Sequence, residues 1–547
     1  MTESRLKKTK SVTLIGENHF QTMLLKIRVP FSIINVVHRI LNWIFLFIYK
    51  KPLQSIPPAT NPLFTSSATT LARKIRQREI TSYVIVNEYI QRIKEVNRHL
   101  NAVVDNRFEE AIIEAKICDE QLKSEKFDFK TLEKEKPLFG VPLTIKEAIA
   151  VKGCSYTGGV LSRKGIKATR NAEIIELIRN AGGIPVCVTN TPELSAGIET
   201  TNLLYGHTHN AYDSRFTAGG SSGGEGALLG AGASLIGIGS DLAGSIRVPA
   251  MLNGVFGHKP TSRIISTEGH LPTCKDIVFL KLLTLGPMAR YAEDLGLLMK
   301  VLTSKCEHNL RLDVPVDLKQ LKVYYLQALD NSLGLLPVSS EIKECILKAA
   351  NHFKNYGIHT EQLPIEWSTT VVEIAFGGLN NIKNYSSLLK DINDPMLEKH
   401  MISEFGKALL GMSSYTKQML LNSIMLQKHF PFSESDISYY TKMGEILREK
   451  LLNLLGEDGI FIYPTFRSSE IFSNLMFCEI LSAAYCAIFN VLGFPATQVP
   501  MGLNRNGSPI GIQVIAAPYQ DRLCLAVAQE LGSAFGGWVP PSATARD

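Results

Sequence analysis

Residues 219–249, GGSSGGEGALLGAGASLIGIGSDLAGSIRVP, decide how this chain is read. The 31 residues hold ten glycines and five serines. Glycine permits positive φ and lets its N–H approach a ligand closely, at a cost to helix and strand interiors. A stretch this rich in it is built around a site. Ser221 and Ser222 stand between two Gly pairs, and Ser245 follows 24 residues after Ser221 inside Ala-Gly-Ser-Ile-Arg.

Working outward, the flanking patterns are those of an α/β protein. Val141, Leu143 and Ile145 alternate with Pro142 and Thr144, the period of a short strand ending at Lys146. A helix is predicted over 172–180, an apolar strand over 184–188 running into Thr189-Asn190, and another over 235–239 leading to Asp241 and Ser245. Upstream, 68–80 and 84–100 carry helical apolar spacing, and 109–123 reads as a charged helix. Strands alternating with helices indicate α/β architecture. In open α/β sheets, sites gather beyond the carboxyl ends of strands, and Lys146, Asn190 and Ser245 all take such positions.

Several local patterns compete for the serines. Residues 219–223 match the G-x-S-x-G of a nucleophile elbow, but that turn needs a strand directly before it. The preceding NAYDSRFTA is polar and turn-like, so the elbow is rejected. Ser222 and Glu225 fit S-x-x-E, which predicts that Ser222 caps a helix over 225–229 while Glu225 reaches back. Ser340 and Lys343 match S-x-x-K only at the start of an amphipathic helix. His207 and His209 lack the companion ligands a metal needs. No metal or cofactor is expected.

What remains is Lys146, Ser221 75 residues later, and Ser245. A serine hydroxyl is a weak nucleophile until a base takes its proton. A neutral lysine can be that base where burial depresses its pKa. A second serine can relay the proton, because its hydroxyl both donates and accepts. The consecutive N–H groups of Leu242, Ala243, Gly244 and Ser245 suit an oxyanion hole. Asp241 and Arg247 flank the nucleophile and read as a buried ion pair fixing the loop.

The rest of the chain sets bounds. It has 547 residues, 45% hydrophobic and 20% charged, enough for a large globular core. The net charge of +7 is dispersed apart from RLKKTK near the start, so no nucleic-acid partner is expected. Nine scattered cysteines without C-x-x-C argue against a disulfide scaffold or zinc cluster. A basic segment, 1–30, precedes a mostly apolar run, 31–49 (FSIINVVHRILNWIFLFIY). Its length suits a membrane-spanning helix, whereas Asn35, His38, Arg39 and Asn42 favour one lying in the interface. The anchor is placed at 31–50, a Pro-rich linker at 51–64 and the body at 65–540.

Ordered motifs through most of 68–535 carry a resemblance. They are GVPLTIKEA (140–148), TNTPE (189–193), YGHTHNAYD (205–213), GGSSGGEGALLGAG (219–232), GIGSDLAGSIRVPA (237–250), NGVFGHKPT (253–261), GPMARYAEDL (286–295) and GFPATQVPMGLNRNGSPIGIQV (493–514). The chain resembles the amidase signature family, and within it the fatty-acid amide hydrolases. The resemblance implies a large twisted mixed β-sheet covered by helices on both faces. It implies a Ser-Ser-Lys triad, with Lys146 as base, Ser221 as a bridging serine in a cis peptide bond and Ser245 as the acyl-forming nucleophile. The oxyanion hole falls on Leu242, Ala243, Gly244 and Ser245. The implied substrate is a fatty acyl amide and the implied setting a membrane, with a homodimer compatible.

Six of the thirteen methionines lie within 396–443, among leucines and phenylalanines. Methionine adapts to flexible chains. A helix pair packed on the core explains the pattern equally well, and the resemblance tilts it toward a membrane-facing cap. Ala243 stands where the family usually has Gly, and its methyl is expected either to crowd the acyl pocket or to bar positive φ. An amidase acting on other small amides, a glutaminase-type amidotransferase subunit and a catalytically impaired lipid-binding homologue stay open.

Overall fold

The computed structural model describes residues 29–49, 56–124, 129–329, 335–364, 370–383, 389–390, 398–427 and 432–541. The strands are β1 (Val103–Asn106), β2 (Pro142–Lys146), β3 (Ile184–Thr189), β4 (Thr201–Asn202), β5 (Gly206–His207), β6 (Ile236–Asp241), β7 (Phe256–Lys259), β8 (Thr284–Ala289), β9 (Lys322–Tyr325), β10 (His359–Gln362), β11 (Gly459–Pro464), β12 (Ala496–Leu503) and β13 (Pro509–Ala516). Eleven of them form one sheet in the order β1-β3-β2-β6-β8-β7-β12-β13-β11-β9-β10, and β4 and β5 form a separate ribbon. The sheet is mixed. β2 lies parallel between β3 and β6, β9 parallel between β10 and β11, and the other pairs are antiparallel.

Every residue of β2, β3, β6, β7, β8, β11 and β13 is buried. Strands buried in full need cover on both faces, which helices supply in α/β folds. The fold is thus the expected α/β one.

Local signals account for the helix ends. The first body helix runs Ala68–Arg76 and stops short of residue 80, with Arg78 at φ 61. Thr81 then caps the helix Ser82–Leu100 by accepting the Val84 N–H, a short cap of the kind that stabilises helix starts. The strands predicted over 184–188 and 235–239 appear as β3 and β6, each reaching further toward the site.

The structure does not support the membrane-spanning anchor. Residues 29–48 form a 20-residue helix, Val29–Ile48, but no helix among the described residues is long and apolar enough to cross a membrane. The helix instead lays one face on the body. His38 is buried with Nε2 3.2 Å from Glu479 Oε1. Leu41 and Phe45 pack on Phe216, Phe472 and Leu475, and Arg215 Nη1 donates to the Tyr49 carbonyl at 2.7 Å. The physical reason is the polar set Asn35, His38, Arg39 and Asn42 near the helix centre. One such arginine costs about 2.5–3.5 kcal/mol on insertion scales. The opposite face, with Ile33, Val37, Ile40, Trp43 and Phe47, is exposed.

Within 396–443, the helices Met401–Leu409 and Lys417–Gln427 pack through Met401, Ala408, Tyr415, Met419 and Leu420. Ile402, Leu409, Leu410 and Met412 are exposed. Residues 1–28 of the basic segment, Lys50 at the end of the anchor, residues 51–55 of the linker and Met396 lie outside the described residues.

Candidate functional site

The site forms where β2 and β6 end side by side. Lys146 closes β2 and is buried. Its Nζ donates to Ser221 Oγ at 2.6 Å and to Ser240 Oγ at 2.8 Å. Burial lowers its pKa from 10.5 to about 7, opposed by the anions Asp241 and Glu225. Ser221 follows Gly220 through a cis peptide bond. Thr200 Oγ1 donates to the Gly219 carbonyl at 2.9 Å and Thr191 Oγ1 to the Ser221 carbonyl at 3.1 Å. The two serine loops are tied directly, because the Ser222 N–H donates to the Ser245 carbonyl at 3.1 Å. Lys146 and Ser221 are buried, while Ser245 is only half-buried and is the member of the set open to an incoming molecule.

Asp241, at the end of β6, organises the turn that carries Ser245. Its carboxylate accepts the Gly244 N–H at 2.7 Å and the Ile246 N–H at 3.1 Å. Arg247 Nη2 donates to it at 3.0 Å and Asn490 Nδ2 at 3.0 Å. Burial alone would raise this carboxyl, but the Arg247 guanidinium holds it well below the usual carboxylate range. Asp241 and Arg247 are therefore the buried ion pair that the sequence suggested, with both side chains inaccessible.

This geometry divides the four oxyanion candidates. The Gly244 N–H is already taken by Asp241. The N–H groups of Leu242, Ala243 and Ser245 make no hydrogen bond among the described residues. Ala243 does not take a positive φ, so its methyl sits on ordinary backbone. The demanding position is Gly244, at φ 119, where an added Cβ would lie 2.7 Å from Cys486 Cβ. Ala243 therefore does not bar the turn.

The predicted capping box does not form. Ser222 precedes the helix Gly223–Gly230 without a side-chain cap bond, and its hydroxyl turns to the Ser240 N–H at 3.3 Å. Glu225 points instead toward β2 and β3. It accepts from Thr144 Oγ1 at 2.6 Å and from Thr189 Oγ1 at 2.8 Å. Burial raises its pKa to about 7, against these hydroxyls and Lys146. The threonines are placed by register, since Thr189 pairs with Lys146 and Thr144 with Gly237. Gly237 leaves the space the acid needs, because a Cβ there would stand 1.9 Å from Glu225 Oε2.

Two polar neighbours of Lys146 escaped sequence reasoning. Ser240 is the penultimate residue of β6, five positions before Ser245, and that position was a readable signal. His270, whose Nε2 is 2.9 Å from Ser240 Oγ, lies in a segment with no motif. His207 and His209 stack edge to face with centroids 5.1 Å apart, and His207 Nε2 meets Ser473 Oγ at 3.1 Å. Among the described residues no group of three or more His, Cys, Asp or Glu could hold a metal. All nine cysteines are free thiols.

Comparison with known proteins agrees with this frame. The amidase family model matches residues 84–525. The chain is 37% identical over 495 residues to fatty-acid amide hydrolase 2 of Homo sapiens, covering 88% of this chain and 92% of that protein. It is 39% identical over 507 residues to fatty-acid amide hydrolase 2-A of Danio rerio, covering 89% and 92%. A solved structure of fatty acid amide hydrolase superposes with a TM-score of 0.70 at 21% identity, over 88% of this chain and 86% of that one. The chain belongs to the amidase signature family and is an amide-hydrolysing enzyme.

Proposed function

We propose that this enzyme hydrolyses fatty acid amides to fatty acid and amine through an acyl-enzyme on Ser245. The observation that carries the reading is a buried lysine, pushed down to about 7, 2.6 Å from a serine hydroxyl whose loop is bonded to the loop of Ser245. Neutral Lys146 takes the Ser221 proton as Ser221 takes that of Ser245. The Ser245 oxygen bonds to the amide carbonyl carbon, and the oxyanion lies toward the unbonded N–H groups of Leu242, Ala243 and Ser245. The relay runs back to protonate the amine nitrogen, the C–N bond breaks, and the amine departs. A water molecule repeats the sequence and releases the acid.

The fatty acyl preference is supported by the relatives, which are fatty-acid amide hydrolases by name. The apolar outer face of Val29–Ile48 and the exposed Ile402, Leu409 and Leu410 support a lipid surface as the source of substrate. In this reading the helix lies in the interface, and the helices at 401–427 cap the acyl entry.

The test is turnover of a long-chain primary amide beside acetamide, with fluorophosphonate labelling. The wild type should prefer the long chain and label at Ser245, and Ser245→Ala should do neither while keeping its thermal transition. Equal turnover of acetamide removes the lipid reading, and residual turnover by Ser245→Ala removes the nucleophile. Trp43→Ser with Phe47→Ser should reduce co-sedimentation with phosphatidylcholine vesicles; unchanged binding removes the interfacial helix.

A further inference from the structure

We propose that His270 is a positioning residue that fixes, through Ser240, the direction in which the lysine base aims its lone pair. The inference rests on the Lys146–Ser221–Ser245 reading above. A neutral amine has one lone pair, and Lys146 can take the Ser221 proton only if that pair faces Ser221 Oγ. Two hydroxyls lie within hydrogen-bond reach of the same Nζ, Ser221 at 2.6 Å and Ser240 at 2.8 Å. A hydroxyl can donate or accept. If Ser240 donated to Nζ, it would occupy the lone pair and leave Ser221 without a base.

His270 removes that alternative. Its Nε2 lies 2.9 Å from Ser240 Oγ. An unprotonated Nε2 accepts the Ser240 proton, so Ser240 offers Lys146 only an oxygen lone pair. Once neutral, Lys146 donates to Ser240 and turns its lone pair to Ser221, replacing the donation that its ammonium form makes there. The arrangement needs a neutral ring with its proton on Nδ1. Burial, followed by the charge of Lys146, lowers the ring pKa to about 3, so imidazolium does not form near neutrality. The Pro272 backbone bears on the ring as an acceptor, and Nδ1 itself is buried without a hydrogen-bond partner among the described residues, so the tautomer is read from the bond to Ser240.

The backbone holds the ring in place. Ala150 N–H donates to the Gly269 carbonyl at 2.9 Å and Leu271 N–H to the Ala148 carbonyl at 2.8 Å. His270 is thus clamped from both sides to the chain leaving β2, two to four residues beyond Lys146. The ionisable groups acting on this network are Asp241 and Glu225 on Lys146, and Lys146 on His270.

The test compares His270→Phe, which fills the space without an acceptor, with His270→Gln, which keeps one. His270→Phe should lower kcat roughly tenfold, the order of one lost hydrogen bond, with KM unchanged, and move the acid limb of the rate to lower pH as Ser240 turns its proton onto neutral Lys146. His270→Gln should restore most of the rate. In a Ser240→Ala background, His270→Phe should cost nothing further. An equal loss in both backgrounds, or no rescue by Gln in a protein that melts normally, overturns the proposal. Nitrogen NMR of histidine-labelled wild type gives a check independent of folding: an Nε2–H tautomer at His270 overturns it and an Nδ1–H tautomer supports it. Absence of turnover and of Ser245 labelling in the wild type would count against the catalytic reading instead.

Discussion

Two buried charge clusters flank the turn that carries Ser245, and they behave in opposite ways. Asp241 lies against Arg247 at 3.0 Å and takes further bonds from Asn490 and two backbone N–H groups. Lys146 and Glu225 are equally buried, yet neither has an oppositely charged atom within ion-pair distance among the described residues. Each is bonded to hydroxyls. The first pair is locked in its charged form far from neutrality. The second is drawn from both sides toward about 7. Burial opposes charge in both clusters; the presence of a close counter-ion decides whether the result is a fixed staple or a group ready to exchange protons.

Substitutions can separate these behaviours. The largest effect is expected for Lys146→Met, which removes the proposed base and leaves the volume. Turnover should fall by about 10²–10⁴, the range of general-base catalysis, with little change in melting temperature by calorimetry. Loss of the fold instead would merge the two clusters into one structural role. Arg247→Met should do the reverse. It strands the Asp241 charge at a cost of about 3–5 kcal/mol, read as a lower denaturant midpoint before any rate is measured. An unaffected midpoint would show that the staple is dispensable.

The pH profile sharpens the contrast. The folded Lys146 pKa is depressed, and in the proposed relay the neutral form is the active one, so kcat/KM should fall as pH drops through about 7 and level off above it. Asp241 stays ionised throughout that window and should leave no limb in it. A flat rate from pH 6 to 8 would remove Lys146 as the base. Glu225→Gln takes away an anion that raises the Lys146 pKa, so the acid limb should move down, by about one pH unit or less. The smallest effect is expected for Ala243→Gly. It should cost about 0.4–1 kcal/mol of stability by loosening the unfolded chain and leave turnover unchanged, because Ala243 already lies on ordinary backbone.

Much of this arrangement was readable in the sequence. Alternation placed Lys146 at a strand end, and glycine density marked the serine loops. The strand before Asp241 followed from its apolar run. What could not be read depends on contacts across the sheet. Glu225 obeys a capping pattern, yet it turns to Thr144 and Thr189, which are 81 and 36 residues away in sequence. His270 reaches Ser240 across 30 residues with no periodic signal. The terminal run 31–49 had the length of a membrane span; a face that docks through His38 and Phe45 became visible only against its partners Glu479 and Phe472.

The missing side chain of Gly237 ties two positions into one heritable unit. Any residue larger than glycine there would collide with Glu225 Oε2, which the added Cβ would approach to 1.9 Å. A lineage that drifts away from glycine at 237 must shorten or lose the acid at 225 in the same step. A chimaera that imports strand β6 from a relative should therefore bring the start of the helix Gly223–Gly230 with it.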